Sequence, residues 1–484
     1  IILLYKKGDK SNLENYRPIS LLNTNYKLYT AIIQKRISEA LDKHLQETQY
    51  GFRQKRGTAQ ATHYIRRIME KGEKTETKTL LVLLDWEKAF DKVRHEALFL
   101  ALSRMNVPDK YVNAIRELYR QPSFRVEMEG RTSDWEPQTT GIRQGCPLSP
   151  YLFIVLMSVL FHDIHKNDKL KLKEHRVQGM DTDEILYADD TICISEDEKA
   201  MNRLLAAIEE EGNKYGLKLN KKKCEYLHFG LASPVKFANG MKVPKESEVK
   251  YLGCNMNNKA DPEREIVKRK KACMITLNKL HIFFYNSDNT TRRKMIMFNA
   301  VIRAKLMYGL ETVVMNPRVQ NMLDTFQLKC LRKLLKVPTT YIDRQFSNDY
   351  VRTQINKSLK AAHKKPMETR SAFHKKMRVQ YLAKLIHAGG NEPGTHVTLN
   401  PNIPDAEFLV GWWLAPAMPG ASSSPGRDEP VVRSKTFKVR LNDSAGKDET
   451  FSKSILSVRA TSASRAVDSR GACRARSPLG RSSA

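Results

Sequence analysis

Paired cysteines, long apolar runs and a balance of acids are all missing from this 484-residue chain. The seven cysteines (146, 193, 224, 254, 273, 330 and 473) stand singly, with no Cys-x-x-Cys and no Cys/His cluster. That scatter supports neither a disulfide framework nor a zinc module, and several of the thiols sit in apolar runs as small core residues. No stretch approaches the roughly 20 apolar residues that span a bilayer, and no signal peptide opens the chain. A soluble, reducing, intracellular compartment is the expectation. Acids are outnumbered: 53 Asp and Glu face 83 Lys and Arg, a net charge of +30. An excess of that size favours a polyanionic partner, because each phosphate neutralised releases condensed counterions. Nucleic acid is the expected partner class.

What is present is enough apolar material, 41% of residues, to build cores, spread over a length that suggests two to four compact units. Chemistry concentrates in three stretches. In Glu184-Ile-Leu-Tyr-Ala-Asp-Asp-Thr-Ile-Cys-Ile-Ser195, two β-branched or aromatic runs flank Ala188-Asp189-Asp190, the pattern of a hairpin with two carboxylates at its tip. Adjacent like charges call for a cation, although Asp is also an ordinary turn residue. Upstream, the apolar run Thr79–Leu84 ends in Asp85, which reads as a strand buried on both faces with an acid at its edge. Two strands ending in carboxylates can hold a pair of divalent ions roughly 3.5–4 Å apart for phosphoryl transfer. Magnesium suits oxygen-only ligands. Between the two lies Gly141-Ile-Arg-Gln-Gly-Cys-Pro-Leu-Ser-Pro150, where Ser149 as N-cap and Pro150 at the first helical position announce a helix. Gln144 and Gly145 fall in the loop before it, where a missing side chain lets a substrate approach the backbone.

In this order the stretches resemble the reverse transcriptases of non-LTR (LINE-type) retrotransposons over about residues 1–340. Tyr16–Leu22 and Gln49–Arg53 with Gly57-Thr58 look like the two fingers motifs. Leu84–Asp91, Arg143–Pro150 and Tyr187–Asp190 look like motifs A, B and C. Gly216–Asn220 with Lys223 is similar to motif D, and Lys250–Gly253 to motif E. The resemblance implies an α+β right-hand polymerase with a disordered basic C-terminal tail: fingers 1–78, palm 79–256, helical thumb 257–340, a weakly structured extension 341–414 and a low-complexity tail 415–484. It implies an RNA-directed DNA polymerase taking an RNA template, a DNA primer or target and dNTPs, without a membrane, in a nuclear or cytoplasmic ribonucleoprotein. Asp85, Asp189 and Asp190 would hold two Mg²⁺ ions, with Mn²⁺ as a substitute. Glu87 and Asp91 are left outside that set. Arg53 would reach the triphosphate, Gln144 and Gly145 the nucleotide and template, and Tyr251, Leu252 and Gly253 the primer strand. Phe90 would exclude a 2′-hydroxyl, and Lys223 would act as general acid. Arg53 reads equally as a solvated loop arginine, Lys223 as one of three lysines in a turn, and Phe90 as a core residue.

Helices are expected over 26–41, with Leu28, Ile32, Ile33, Ile37 and Leu41 on one face, and over 58–70, 262–282, 291–310 and 319–336. From about 341 the periodicity fades. Residues 363–379 allow one more helix, Trp412-Trp413 sit among prolines, and 415–484 shows no apolar period that would offset ordering entropy. The Arg-rich close reads either as an RNA-binding tail or as read-through from a disrupted frame. The chain opens at Ile1 rather than Met, and no endonuclease is evident on either side, so it reads as a fragment or a decayed element. Three rivals stay open: an RNA-dependent RNA polymerase, whose motif A spacing is one residue shorter; a group II intron maturase, whose distal region is not identifiable; and a non-catalytic RNA-binding remnant.

Overall fold

Alternate residues of the Thr79–Leu84 strand enter different cores: Leu80, Val82 and Leu84 on one face, Leu81 on the other. The run is therefore covered on both sides, as its unbroken apolar composition requires. In this computed structural model the strand lies inside a four-stranded sheet ordered Glu225–Phe229, Thr79–Leu84, Asp190–Ser195, Glu184–Tyr187, with every pair antiparallel. The helices Ser149–His165 and Glu198–Lys214 cover one face, and Thr58–Thr75, through Ile65 and Ile68, covers the other. Ser149–His165 carries Pro150 in its first turn and is apolar nearly all round, so it is buried as the axis of the main core. The structure describes residues 1–177, 180–230, 233–361, 366–387, 435–442 and 448–455. No helix among them is long and apolar enough to cross a membrane. The six described cysteines are buried and free; Cys473 lies outside the described residues.

At the N-terminus, Ile2–Tyr5 pairs antiparallel with Tyr16–Ile19. The helix Thr24–Leu41 starts where the Asn23 side chain accepts from the Tyr26 amide at 2.7 Å. Its expected apolar face is only half used: Ile33, Ile37 and Leu41 are buried, whereas Leu28 and Ile32 are exposed. The helix Thr58–Thr75 buries Ala61, Tyr64, Ile65, Ile68 and Met69 as its spacing predicts.

After the sheet, the three expected helices appear at Pro262–Lys279, at 291–307 and at Pro317–Leu335, the middle one interrupted by a π-helical turn, Phe298–Arg303. They enclose a separate core that includes Ile266, Phe284, Phe298, Leu323 and Leu331. A buried charge cluster joins it to the rest. Glu265 accepts from Arg66 at 2.7 Å and from Arg269 at 2.5 Å, and Arg67 donates to the Thr312 carbonyl at 3.3 Å.

Helices span Asn348–Lys360 and Arg370–His387, and Val351 and Ile355 enter the second core. Two apolar residues one turn apart suffice to dock a short helix but make no sustained period. Within 415–484 the strands Lys435–Asn442 and Asp448–Ile455 form an antiparallel hairpin, and Phe437, Val439 and Leu441 alternate with Lys438 and Arg440 at the strand period. Trp412-Trp413 and the Arg-rich close lie outside the described residues.

Candidate active site

Leu84 pairs with Thr191 at the end of the central strand, so register alone brings Asp85 beside the turn that carries Asp189 and Asp190. Asp85 is fixed through its backbone: its carbonyl accepts from the Asn220 amide at 2.7 Å, and its amide points at Cys224 Sγ, 3.5 Å away. The turn is tight enough to place Ala188 in the left-handed region, φ +59°. The segment read from the sequence as the second fingers motif holds it there. Gln49 Oε1 accepts from the amides of both Ala188 (3.0 Å) and Gly51 (2.8 Å). The Tyr50 amide donates to the Leu186 carbonyl at 2.8 Å, and the Leu186 amide to that of Thr48 at 3.0 Å. A Cβ on Gly51 would stand 2.5 Å from the Ala188 nitrogen. The glycine in Gln49-Tyr-Gly-Phe-Arg53 is there to let two backbones touch.

The three carboxylates disturb one another. Protein crowding pushes the Asp190 carboxyl up to about 6, and Asp189 and Asp85 add to the shift. Crowding and then Asp85 raise Asp189 too, against an opposing pull from Arg17 and Lys6. Asp189 and Asp190 remain open to solvent on one side, so the shift comes from the protein packed around the other. Lys223 Nζ stands 3.9 Å from Asp85 Oδ2 and is itself largely exposed. Lys6 and Arg17 belong to the N-terminal hairpin. Arg17 was legible as part of a fingers motif; Lys6 had only its charge to mark it.

Phe90 is half-buried against Phe153 of the central helix, with ring centroids 4.7 Å apart and planes 15° from parallel. Its carbonyl accepts from the Ile142 amide at 2.7 Å, tying it to the Gly141–Pro150 loop. In that loop Gln144 is already engaged: its Nε2 donates to Asp91 at 3.0 Å and its carbonyl accepts from the Ser20 amide at 2.7 Å. Burial raises the Asp91 carboxyl, and the Gln144 bond offsets part of that. Gly145 has φ +120°, and a Cβ there would meet the Ser20 carbonyl at 2.6 Å. The close approach that its missing side chain permits is made by Ser20.

Arg53 is not brought to the acids. Its buried guanidinium contacts Asp42 Oδ1 at 3.3 Å and the carbonyls of Gln46 (2.9 Å) and Gln49 (3.3 Å), closing its own loop. A loop arginine surrounded by carbonyls meets their hydrogen-bonding capacity with its own donors. Tyr251, Leu252 and Gly253 do form one feature, the turn between Glu248–Tyr251 and Cys254–Asn257. Leu252 (φ +46°) and Gly253 (φ +80°) give it the double positive φ of a tight hairpin. Tyr308 Oη donates to the Leu252 carbonyl at 3.1 Å. Burial raises the Tyr251 hydroxyl well above its usual range, and Asp190 is the first of the charges that add to it.

Two groups of acids differ in how they suit a cation. His165, Asp183 and Glu184 have ligand atoms within 4.8 Å of one another, but Arg176 already binds Asp183 at 2.7 Å and His165 binds Glu184 at 2.9 Å. In that cluster each carboxylate already has a partner. Asp85, Asp189 and Asp190 offer only oxygen and repel one another, and Lys223, Lys6 and Arg17 act on them without a close ion pair. The all-oxygen donor set and the mutual repulsion fit divalent cations.

Residues 5–256 match the family model described as "Reverse transcriptase (RNA-dependent DNA polymerase)". The chain is 23% identical over 386 residues to the "RNA-directed DNA polymerase from mobile element jockey" of Drosophila melanogaster, across 76% of this chain and 41% of that protein. It is 26% identical over 228 residues to the "Retrovirus-related Pol polyprotein from type-1 retrotransposable element R2" of Nasonia vitripennis, across 47% and 21% respectively. The chain thus spans about two fifths or less of the length of these two relatives. A solved telomerase from Candida albicans superposes with a TM-score of 0.42 at 12% identity, over 67% of this chain and 58% of that one. With more than half of its residues inside the family model, the chain belongs to the reverse transcriptase (RNA-dependent DNA polymerase) family.

Proposed function

We propose that this chain is the polymerase portion of a non-LTR retrotransposon protein and extends a DNA primer 3′ end by copying RNA. One observation carries the reading: strand register places Asp85 beside the Asp189-Asp190 turn, closely enough that the charges of Asp85 and Asp189 help lift Asp190 to about 6. Two divalent ions, Mg²⁺ by preference, would be held by Asp85, Asp189 and Asp190 and would supply the charge that aligns the attacking and leaving oxygens.

The chain's own residues do the rest. Lys6 and Arg17 face the acids from the N-terminal hairpin and, with Arg53, would meet the triphosphate. Lys223 holds a proton within reach of the departing pyrophosphate. Phe90, backed by Phe153, limits room at the sugar, and the loop carrying Gln144 and Gly145 lies between Phe90 and Ser20, where it shapes the template side. The Tyr251-Leu252-Gly253 turn supports the primer strand. On this reading residues 1–78 are fingers, 79–256 palm and 257–340 thumb, and the protein works in a nuclear or cytoplasmic ribonucleoprotein.

The test is primer extension by purified protein on an RNA template with a DNA primer, dNTPs and Mg²⁺. Extension in which deoxynucleotides are added in template order is expected. Template binding without extension would replace the proposal with a non-catalytic RNA-binding remnant.

A further inference from the structure

A groove of about 800 Å³ opens where the end of Thr24–Leu41 meets the junction of His95–Arg104 with Asp109–Leu118 and the last turns of Ser149–His165. Its walls carry Arg36, Lys43, His44, Arg104, His162 and Lys166, and no carboxylate lines it. No ion pair engages Arg36, Lys43 or Lys166 among the described residues. The acids next to the lining residues are already committed: Asp163 accepts from Arg104 at 2.7 Å and from Tyr215 Oη at 3.0 Å, and Asp42 from Arg53 at 3.3 Å. The floor is apolar, with Leu41 and Val159 below and Tyr111 at one side.

This groove is removed from the aspartates. Phe153 marks where the Ser149–His165 helix meets Phe90, whereas His162 and Lys166 mark its opposite end. At about 1.5 Å of rise per residue, Phe153 and His162 stand roughly 14 Å apart along the helix axis.

We propose that the groove is a second nucleic-acid site, which binds a short single-stranded segment of polynucleotide through its phosphates. Arg36, Lys43 and Lys166, cations without an ion pair around an apolar floor with an aromatic ring, match a strand that offers phosphates on one side and base faces on the other. A duplex keeps its base faces stacked and would leave the floor unused. An acidic peptide would answer the charge and leave the floor and Tyr111 without a flat partner. Occupancy of the groove does not depend on the aspartates and survives failure of the polymerase reading.

The experiment measures binding of labelled oligo(U) RNA and oligo(dT) DNA to the full chain while a saturating hairpin primer–template occupies the polymerase cleft. Binding is followed against KCl concentration for the wild type and for Lys43→Gln/Lys166→Gln. Removing one cation that neutralises a phosphate lowers the single-strand salt slope by about 0.7. The double variant is therefore expected to drop by about 1.4 in slope and on the order of tenfold in affinity, with unchanged Tm and unchanged extension of the hairpin. Equal decreases for both oligonucleotides assign the site to phosphates alone, and a decrease confined to RNA adds recognition of the 2′-hydroxyl. An unchanged slope in the variant would overturn the proposal, as would complete displacement of the oligonucleotide by the hairpin. Poly-glutamate bound as tightly as oligo(U) would reassign the groove to acidic protein.

Discussion

The ring of Phe90 lies almost parallel to that of Phe153, 4.7 Å away, so one of its faces is fixed by the core and its other surface is left half-open. A ring held this way cannot swing aside for a larger sugar. Phe90→Val is expected to raise ribonucleotide use relative to deoxynucleotide use, because a 2′-hydroxyl then keeps hydrogen bonds to water worth on the order of 1–3 kcal/mol. The ratio of kcat/KM for dGTP and GTP on one template should fall by tenfold or more. Removing the stack itself costs roughly 0.5–1.5 kcal/mol of stability and lowers Tm modestly. Parallel decreases for both nucleotides at a constant ratio would leave Phe90 as packing only.

Asp85→Asn and Asp189→Asn are each expected to abolish extension while leaving template affinity within about twofold, since affinity comes from Lys and Arg contacts with phosphates. Gel-shift and extension assays on the same preparations separate the two quantities. Substantial extension by Asp189→Asn would remove it from the cation-binding set.

The Asp190 carboxyl, raised to about 6 from an ordinary 3.8, makes metal-free stability depend on pH. Between those values the folded chain holds a proton that the unfolded chain has released, so this group's contribution to stability declines as pH rises through the window. Asp190→Asn is therefore expected to raise Tm above pH 7 in EDTA and to leave it nearly unchanged near pH 4. Added divalent cation should shrink the difference by stabilising the wild type alone. Equal Tm values in EDTA at pH 7.5 would show that the repulsion is negligible.

Gln49 joins a loop to the Asp189-Asp190 turn through a single carbonyl oxygen. Gln49→Ala strands the amides of Ala188 and Gly51, each costing about 1–3 kcal/mol if it stays buried and unpaired. A lowered Tm is expected together with a fall in kcat larger than any rise in KM for primer–template. An unchanged kcat alongside a lowered Tm would limit Gln49 to stability.

His165 and Glu184 share a buried contact that stabilises opposite ends of the pH scale. Burial alone would lower His165, but Glu184 overrides it and the imidazole is raised; burial alone would raise Glu184, but His165, Thr48 and Gln46 hold it down. The His165 contribution is complete below its unfolded value of about 6.5 and disappears as pH rises through the folded one. The Glu184 contribution disappears as pH falls through its own lowered value. His165→Gln should flatten the decline in Tm between about pH 6.5 and 8. A variant whose Tm falls with pH as steeply as the wild type would exclude the pair as its source.

The parts of the fold legible in the sequence are those where one physical demand acts alone. Five apolar residues in a row before Asp85 had to be a covered strand, and an Asp-Asp between two β-branched runs had to be a turn. Side chains with several possible partners were not legible. Arg53 read equally as a ligand-facing and as a loop arginine, and its contacts with Asp42 and two loop carbonyls follow from the fold of its own loop. Gln49 was marked only as part of a fingers motif, because its contact with Ala188 depends on a turn 139 residues away. Leu28 and Ile32 share the helical spacing of Ile33 and Ile37 but meet no neighbouring element. The alternation at Phe437, Val439 and Leu441 was masked by the Ser, Arg and Gly around it.

The buried contact between Arg66 and Glu265 sets a rule for building chimaeras. The two residues lie 199 positions apart, one before the central sheet and one after it. A graft that exchanges everything after residue 257 for the matching segment of a relative would leave Arg66 facing whatever that relative carries in place of Glu265. A buried charge without its counterpart typically costs about 3–5 kcal/mol. Exchanges that carry Arg66, Arg67, Glu265 and Arg269 together keep the joint intact, so the unit of recombination in this protein is discontinuous along the chain.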